Sequence, residues 1–323
     1  MSRSNALKRI HYVRAMYGAT NSSTLETALR KAMLALPKVR DTEVTNAELG
    51  TLAIRHRDVM SGGGVCLAIG LGVEGESMGT MGLKVAAATD KDSPEPPPAG
   101  RAFKIADAFC LVDDDEVLVC NDGGMRIGVL EFYLGQLLAK AGLPTATQPG
   151  ELRARLNQDK KKTLAIEGVK EIKITSSAFQ ASKQANVPAK GRIRSGFSKF
   201  VNAIADAFAE DIKTDADRDT FARHIGDISV SAVIKVSGGS RGEPVVVKSL
   251  QDVAINALNE DADGADVTLV TTKGNPVAAK TLTLSTQMSM KRLKNSNDID
   301  HLDAWRRLVQ YRSELFGTGR WKT

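Results

Sequence analysis

Two rhythms of hydrophobic and polar positions run along this chain. Residues 9–17 (Arg-Ile-His-Tyr-Val-Arg-Ala-Met-Tyr) alternate closely enough to predict a first strand. Ser22, Ser23 and Thr24 then offer a helix N-cap, and Leu25, Ala28, Leu29, Ala32, Met33 and Leu36 recur at helical spacing until Pro37. Residues 51–59 and 64–73 read as two strands joined by Ser61-Gly62-Gly63, and residues 74–100 form an irregular, proline-rich excursion. The clearest pattern follows: residues 108–112 and 116–120 are apolar runs flanking Asp113, Asp114 and Asp115, a hairpin. A helix over 125–140 presents Ile127, Leu130, Phe132, Tyr133, Leu134, Leu137 and Leu138, and Gly142 and Pro144 close it.

Beyond residue 150 the pattern predicts a strand pair over 163–175 bent at Gly168, a helix over 198–212, a strand over 228–236 and a short helix over 249–258. Residues 267–271 and 281–289 read as a hairpin around a loop at 273–276. A last amphipathic helix spans 298–316, capped by Asp298, with a stripe of Leu302, Trp305, Leu308, Val309, Leu315 and Phe316. Trp305 and Leu308 on that stripe are the expected contacts across a dimer axis. The fold class expected is α+β in two domains, 1–148 and 149–323, each of antiparallel strands and hairpins with helices packed on one face.

Composition narrows this picture. With 42% hydrophobic and 25% charged residues the chain is an ordinary globular protein, and 5% aromatics argue against a sheet that stacks RNA bases. The net charge of +6 is uneven: residues 151–323 carry 28 Lys and Arg against 21 Asp and Glu, residues 1–150 carry 16 against 17. Three cysteines without a C-x-x-C pair fit reduced thiols, the opening residues lack an apolar signal core, and the longest apolar run, 65–73, falls far below the roughly 20 residues of a membrane span. A cytoplasmic protein is expected.

Candidate chemistry centres on residues 172–205, which hold Lys173, Lys183, Lys190, Arg192, Arg194 and Lys199 and no Asp or Glu. Such a segment suits a polyanion, and Lys160, Lys161 and Lys162 at a strand entrance and Lys291, Arg292 and Lys294 at a strand exit are supporting clusters. Arg306, Arg307 and Arg312 add charge on the last helix. Without a base-reading helix or an aromatic platform, binding should follow backbone charge and shape. Gly70-Leu-Gly72-Val-Glu-Gly75 matches G-x-G-x-x-G, but no helix-forming sequence follows it, so strand and turn glycines are the better account. Asp113, Asp114, Asp115 and Glu116 could hold Mg²⁺ or be a solvated turn. Glu167, Glu171 and Lys173, with Asp159 upstream, echo the acidic-x-Lys core of Mg²⁺-dependent nucleases, an alternative reading; a scaffold role in a phage or defence complex is another. His11, His56, His224 and His301 are scattered, and no nucleophile-elbow motif is present. No cofactor, metal or catalytic residue is assigned.

The order of elements is similar to that of RexA-type phage-exclusion proteins and, more loosely, of KwaB-type anti-phage defence proteins. The resemblance rests on the hairpin–helix unit at 108–140, the 163–175 strand leading to a helical segment, the 228–236 strand, the 267–289 hairpin and the closing helix. It covers about residues 100–317. It implies a homodimer that binds double-stranded DNA without sequence preference and acts in phage exclusion, abortive infection or antiviral defence, often beside a membrane-protein partner.

Overall fold

The computed structural model of the chain describes residues 4–18, 23–47, 49–80, 93–123, 125–177, 229–235 and 266–322. Most of the described strands join one antiparallel sheet. These are β1 (Asn5–Met16), β2 (Val44–Asn46), β3 (Gly50–Val59), β4 (Val65–Val73), β7 (Phe103–Asp113), β8 (Glu116–Gly123), β9 (Glu151–Ala154) and β14 (Ser285–Lys291). Their order is β14-β1-β8-β7-β4-β3-β2, with β9 paired to the far end of β1. The α+β expectation holds.

Runs such as Ala108 to Val112 and Val117 to Cys120 are buried on both faces of the sheet, so both faces need cover. The first face carries Val13, Leu52, Leu67, Cys110 and Val119 beneath α1 (Leu25–Ala35) and α2 (Ile127–Lys140). The second carries Ile10, Tyr12, Cys66, Phe109, Leu118 and Cys120 beneath α5 (His301–Gly317). Thr24 caps α1 by accepting from the Thr27 amide, as its place ahead of the apolar periodicity predicts. The cap of α5 is Asp300, which accepts from the Leu302 amide, and not Asp298, which instead reaches Lys104 at 3.0 Å.

Within the irregular 74–100 excursion, β5 (Met78–Thr80) pairs with β6 (Ser93–Glu95). A second sheet contains β10 (Val169–Ser177), β11 (Ser229–Lys235), β12 (Asp266–Thr271) and β13 (Pro276–Ala278), in the order β11-β10-β12-β13. The expected division at 148/149 does not follow the hydrogen bonding. β9 and β14 both pair with β1 of the first half. The chain leaves the large sheet where the Arg155 amide donates to Tyr12 O (2.9 Å) and returns where the Tyr12 amide donates to Leu284 O (2.9 Å). Leu156 bridges Thr283, and Asn157 N donates to Leu282 O at 2.8 Å. Residues 158–281 are therefore an insertion between two adjacent points of one sheet.

Three further expectations are corrected. Residues 163–175 are not a strand pair: α3 (Gln158–Glu167) precedes β10. Gly168, at φ +70°, ends that helix with its amide on Leu164 O at 2.8 Å, a left-handed C-terminal cap in place of a strand bend. Residues 281–289 do not pair with 267–271. β13 takes that edge of β12, α4 (Ala279–Leu282) follows, and β14 pairs with β1. The stripe of Trp305 and Leu308, 7% and 0% exposed, packs on the chain's own sheet and is not open to a dimer partner. The expected helices at 198–212 and 249–258 lie outside the described residues.

Candidate functional site

The predicted basic positions divide between the two sheets. Lys183, Lys190, Arg192, Arg194 and Lys199 lie outside the described residues. Lys160, Lys161 and Lys162 fall in α3, on a helix and not at a strand entrance, and the Lys162 side chain is exposed. Lys291 ends β14 at the edge of the large sheet, and Arg292 and Lys294 follow it. Lys291 and Lys294 are exposed, while Arg292 donates from Nη1 to Asn297 Oδ1 at 2.8 Å.

The inserted sheet buries Ile172, Val267 and Leu269 and leaves Lys173, Val233 and Lys235 exposed. Strand alternation produces this division: Ile172 stands opposite Leu269, Lys173 opposite Val233 and Glu171 opposite Lys235. An antiparallel sheet with one open face thus carries two exposed lysines with Glu171 between them, and β10 continues in sequence into the acid-free basic stretch. Glu171 lies 3.2 Å from Lys173, whereas Glu167 takes Asn275 Nδ2 at 3.4 Å and Lys273 at 3.8 Å.

Among the described residues, Glu26, Asp113 and Asp114 are the carboxylates whose ligating atoms converge within 4.8 Å. The cations beside them belong to the chain. Asp113 meets Arg312 at 3.2 Å and Lys322 at 2.8 Å, and Asp114 meets Lys322 at 2.6 Å. Partial burial works against the Lys322 charge, yet its hydrogen bonds to Asp113 and Asp114 outweigh that and raise its pKa. Glu26 Oε2 accepts from the Asp114 amide at 2.9 Å, and Asp115 accepts from the Tyr17 hydroxyl and the Leu25 amide. Glu116 pairs with Arg155. The four acids are a structural knot joining the hairpin to α1, α5 and the C-terminal residues, not a solvated turn.

A polar lane that local sequence did not reveal crosses the second face beside the start of α5. Lys8 pairs with Asp122, and Lys104 pairs with both Asp107 and Asp298; Asp107 and Asp122 are direct cross-strand neighbours. Burial raises the Asp107 pKa although Lys104 opposes it. The Arg55 side chain lies across Gly70, where a β-carbon would meet it, so this glycine of the G-x-G-x-x-G match serves a strand contact inside β4. His56 and His301 stack with centroids 3.8 Å apart and planes 4° apart, and His301 meets Trp305 edge-on at 5.0 Å. Partial burial first, then His301, Arg55 and Lys104, lower the His56 pKa. Residues from 8 to 301 build this lane, so no spacing in the sequence announces it. Its three named acids balance Lys8, Lys104 and Arg55, which makes it a bracing network with acid–base capacity at Asp107.

No protein-family model, curated protein or solved structure matches this chain.

Proposed function

We propose that this chain binds double-stranded DNA without sequence preference through the inserted module of residues 158–281, acting in the cytoplasm in phage exclusion or anti-phage defence. The observation that carries this reading is the open face of the inserted sheet, where Lys173 and Lys235 are exposed on strands whose other face is buried. β10 leads in sequence to Lys183, Lys190, Arg192, Arg194 and Lys199 without an intervening acid. Lysines on a flat strand surface meet phosphates as point charges and read no base edge, which is the chemistry of sequence-independent binding. The resemblance to phage-exclusion proteins supports the same reading and adds a homodimer and a membrane-protein partner. The dimer would use a surface other than Trp305 and Leu308, which are buried.

The test is a salt titration of binding to a labelled duplex. The wild type is compared with a Lys190/Arg192/Arg194/Lys199→Ala variant and a Lys173/Lys235→Ala variant. Affinity should fall steeply with salt, with a log–log slope shallower by about two to four units in the first variant and by about two in the second. Absence of wild-type binding near about 50 mM salt rejects the reading.

A further inference from the structure

The two faces of the large sheet treat polar groups differently. On the second face Lys8, Lys104, Asp107 and Asp122 are all paired. On the first face, at the β14-β1-β8 side, stand Gln287, Arg9, His11 and Asn121. Val13 and Val119 belong to the first-face core, so alternation along β1 and β8 places Arg9, His11 and Asn121 on that same face. Gln287 is the cross-strand partner of Arg9, and Asn121 lies one step past the registered pair Ile10 and Cys120. Gln287, Arg9 and Asn121 therefore form a row across three strands, each about 4.8 Å from the next. His11, one step along β1, stands opposite Val119 and Ser285.

None of these four side chains has a hydrogen-bond or ion-pair partner among the described residues; Gln287 is exposed to solvent, while Arg9, His11 and Asn121 are partly buried. For Asn121 the point is sharp, since both its amide oxygen and its amide nitrogen are buried and unbonded. Buried polar atoms in folded proteins are bonded with few exceptions, so a buried amide with both atoms unbonded calls for a partner. The charge around it is one-sided. On this face β14 contributes Ser285, Gln287, Ser289 and Lys291, β1 contributes Leu7, Arg9 and His11, and β8 contributes Val119 and Asn121. That set has two cations and no carboxylate. Burial and the neighbouring Arg9 hold the His11 pKa down to about 4, so the ring is neutral at physiological pH and can donate or accept.

We propose that Arg9, Asn121 and Gln287, with His11 beside them, form a binding site for a phosphate monoester, separate from the inserted module. A guanidinium fork flanked by two carboxamides offers several N–H donors about 5–10 Å across, a span that suits a multi-oxygen phosphate and its attached polar group better than a single carboxylate. Lys291, exposed on the same face, adds attraction at the rim.

The experiment uses the full chain, with calorimetric titration of inorganic phosphate, AMP and a short DNA duplex, and the His11 ring resonance followed by NMR. AMP should bind and move the His11 signal, with phosphate doing so more weakly. Arg9→Gln should weaken AMP by about tenfold or more. Lys173/Lys235→Ala should leave AMP binding unchanged. Asn121→Leu, which removes the orphaned amide and so should not unfold the protein, should also weaken AMP. Three outcomes overturn the proposal: no binding of AMP or phosphate up to about 10 mM, wild-type affinity in Arg9→Gln or Asn121→Leu, or duplex binding alone with its loss tracking Lys173 and Lys235. The last would leave the DNA-binding reading standing without this site, whereas AMP binding without duplex binding would do the reverse.

Discussion

Arg155 grips the buried carboxylate of Glu116 with two bonds, Nε to Oε2 at 2.9 Å and Nη2 to Oε1 at 2.6 Å. Glu116 is 3% exposed, and Arg155 sits where the chain leaves the large sheet for the insertion, its backbone bonded to Tyr12 and Leu284. The pair thus ties β8 to both connections of the insert. Removing Arg155 leaves the buried Glu116 carboxylate with only the more distant Arg14, 3.6 Å away, so Arg155→Met should cost up to about 3 kcal/mol in urea unfolding. The double variant Glu116→Leu/Arg155→Met should recover much of that loss. Equal losses in single and double variants would show that the pair has no coupling.

His11 makes stability pH-dependent in a defined window. Its folded pKa of about 4 lies below the unfolded value of 6.5, so between those pH values the unfolded chain binds a proton that the folded chain does not. Stability is therefore lost as pH falls from about 6.5 to about 4, by at most about 3 kcal/mol for a half-buried ring. His11→Leu should flatten this part of the profile, and the difference between the two unfolding curves isolates it from carboxylate titration. Parallel curves in phosphate-free buffer would contradict the assignment.

The C-terminal residues are part of the core. Trp321, 6% exposed, stacks on Tyr12 with centroids 4.9 Å apart, and the Lys322 amide donates to the Tyr12 hydroxyl at 2.9 Å. Trp321→Ala should cost about 3 kcal/mol or more, the scale of deleting a buried indole. Lys322→Ala should cost under about 1 kcal/mol, because more than a third of its side chain is exposed and its ion pairs are screened. A ranking of thermal midpoints checks both; equal losses would mean that the ion pairs carry the tail.

Much of this fold was legible where the signal is local. The apolar runs of β4, β7 and β8 and the Thr24 cap and Pro37 stop of α1 follow from neighbours in sequence. What escaped depends on distant partners. Residues 285–291 carry a correct strand alternation, but nothing in them states that β1 and not β12 is the partner. α3 was hidden because a Lys-rich run has no apolar stripe, while Thr163 to Thr175 alternates by accident across a helix end. Asp113, Asp114, Asp115 and Glu116 read as turn residues because their partners, Arg312, Lys322, Leu25 and Arg155, lie elsewhere in the chain. The row of Gln287, Arg9 and Asn121 exists only once three strands are in register, so no motif search could have assembled it.

Gly123 ends β8 just after that row and offers a sharp test of backbone strain. Its φ is +64°, and a β-carbon there would come closer than 3.0 Å to both Ile105 O and Ala106 Cα of the partner strand. Alanine would meet two costs, the left-handed conformation at about 1 kcal/mol and a backbone clash that no rotamer relieves. Two controls separate them. Gly142 shares the positive φ, at +73°, with nothing within 4 Å, so Gly142→Ala should lose about 1 kcal/mol. Gly62 has open space and no positive φ, so Gly62→Ala should change stability by less than about 0.5 kcal/mol. Gly123→Ala should lose about 2 kcal/mol or more in urea unfolding. Should it match Gly142→Ala, β7 and β8 can part at this end without cost, and the close approach of Ile105 to Gly123 contributes nothing to the sheet.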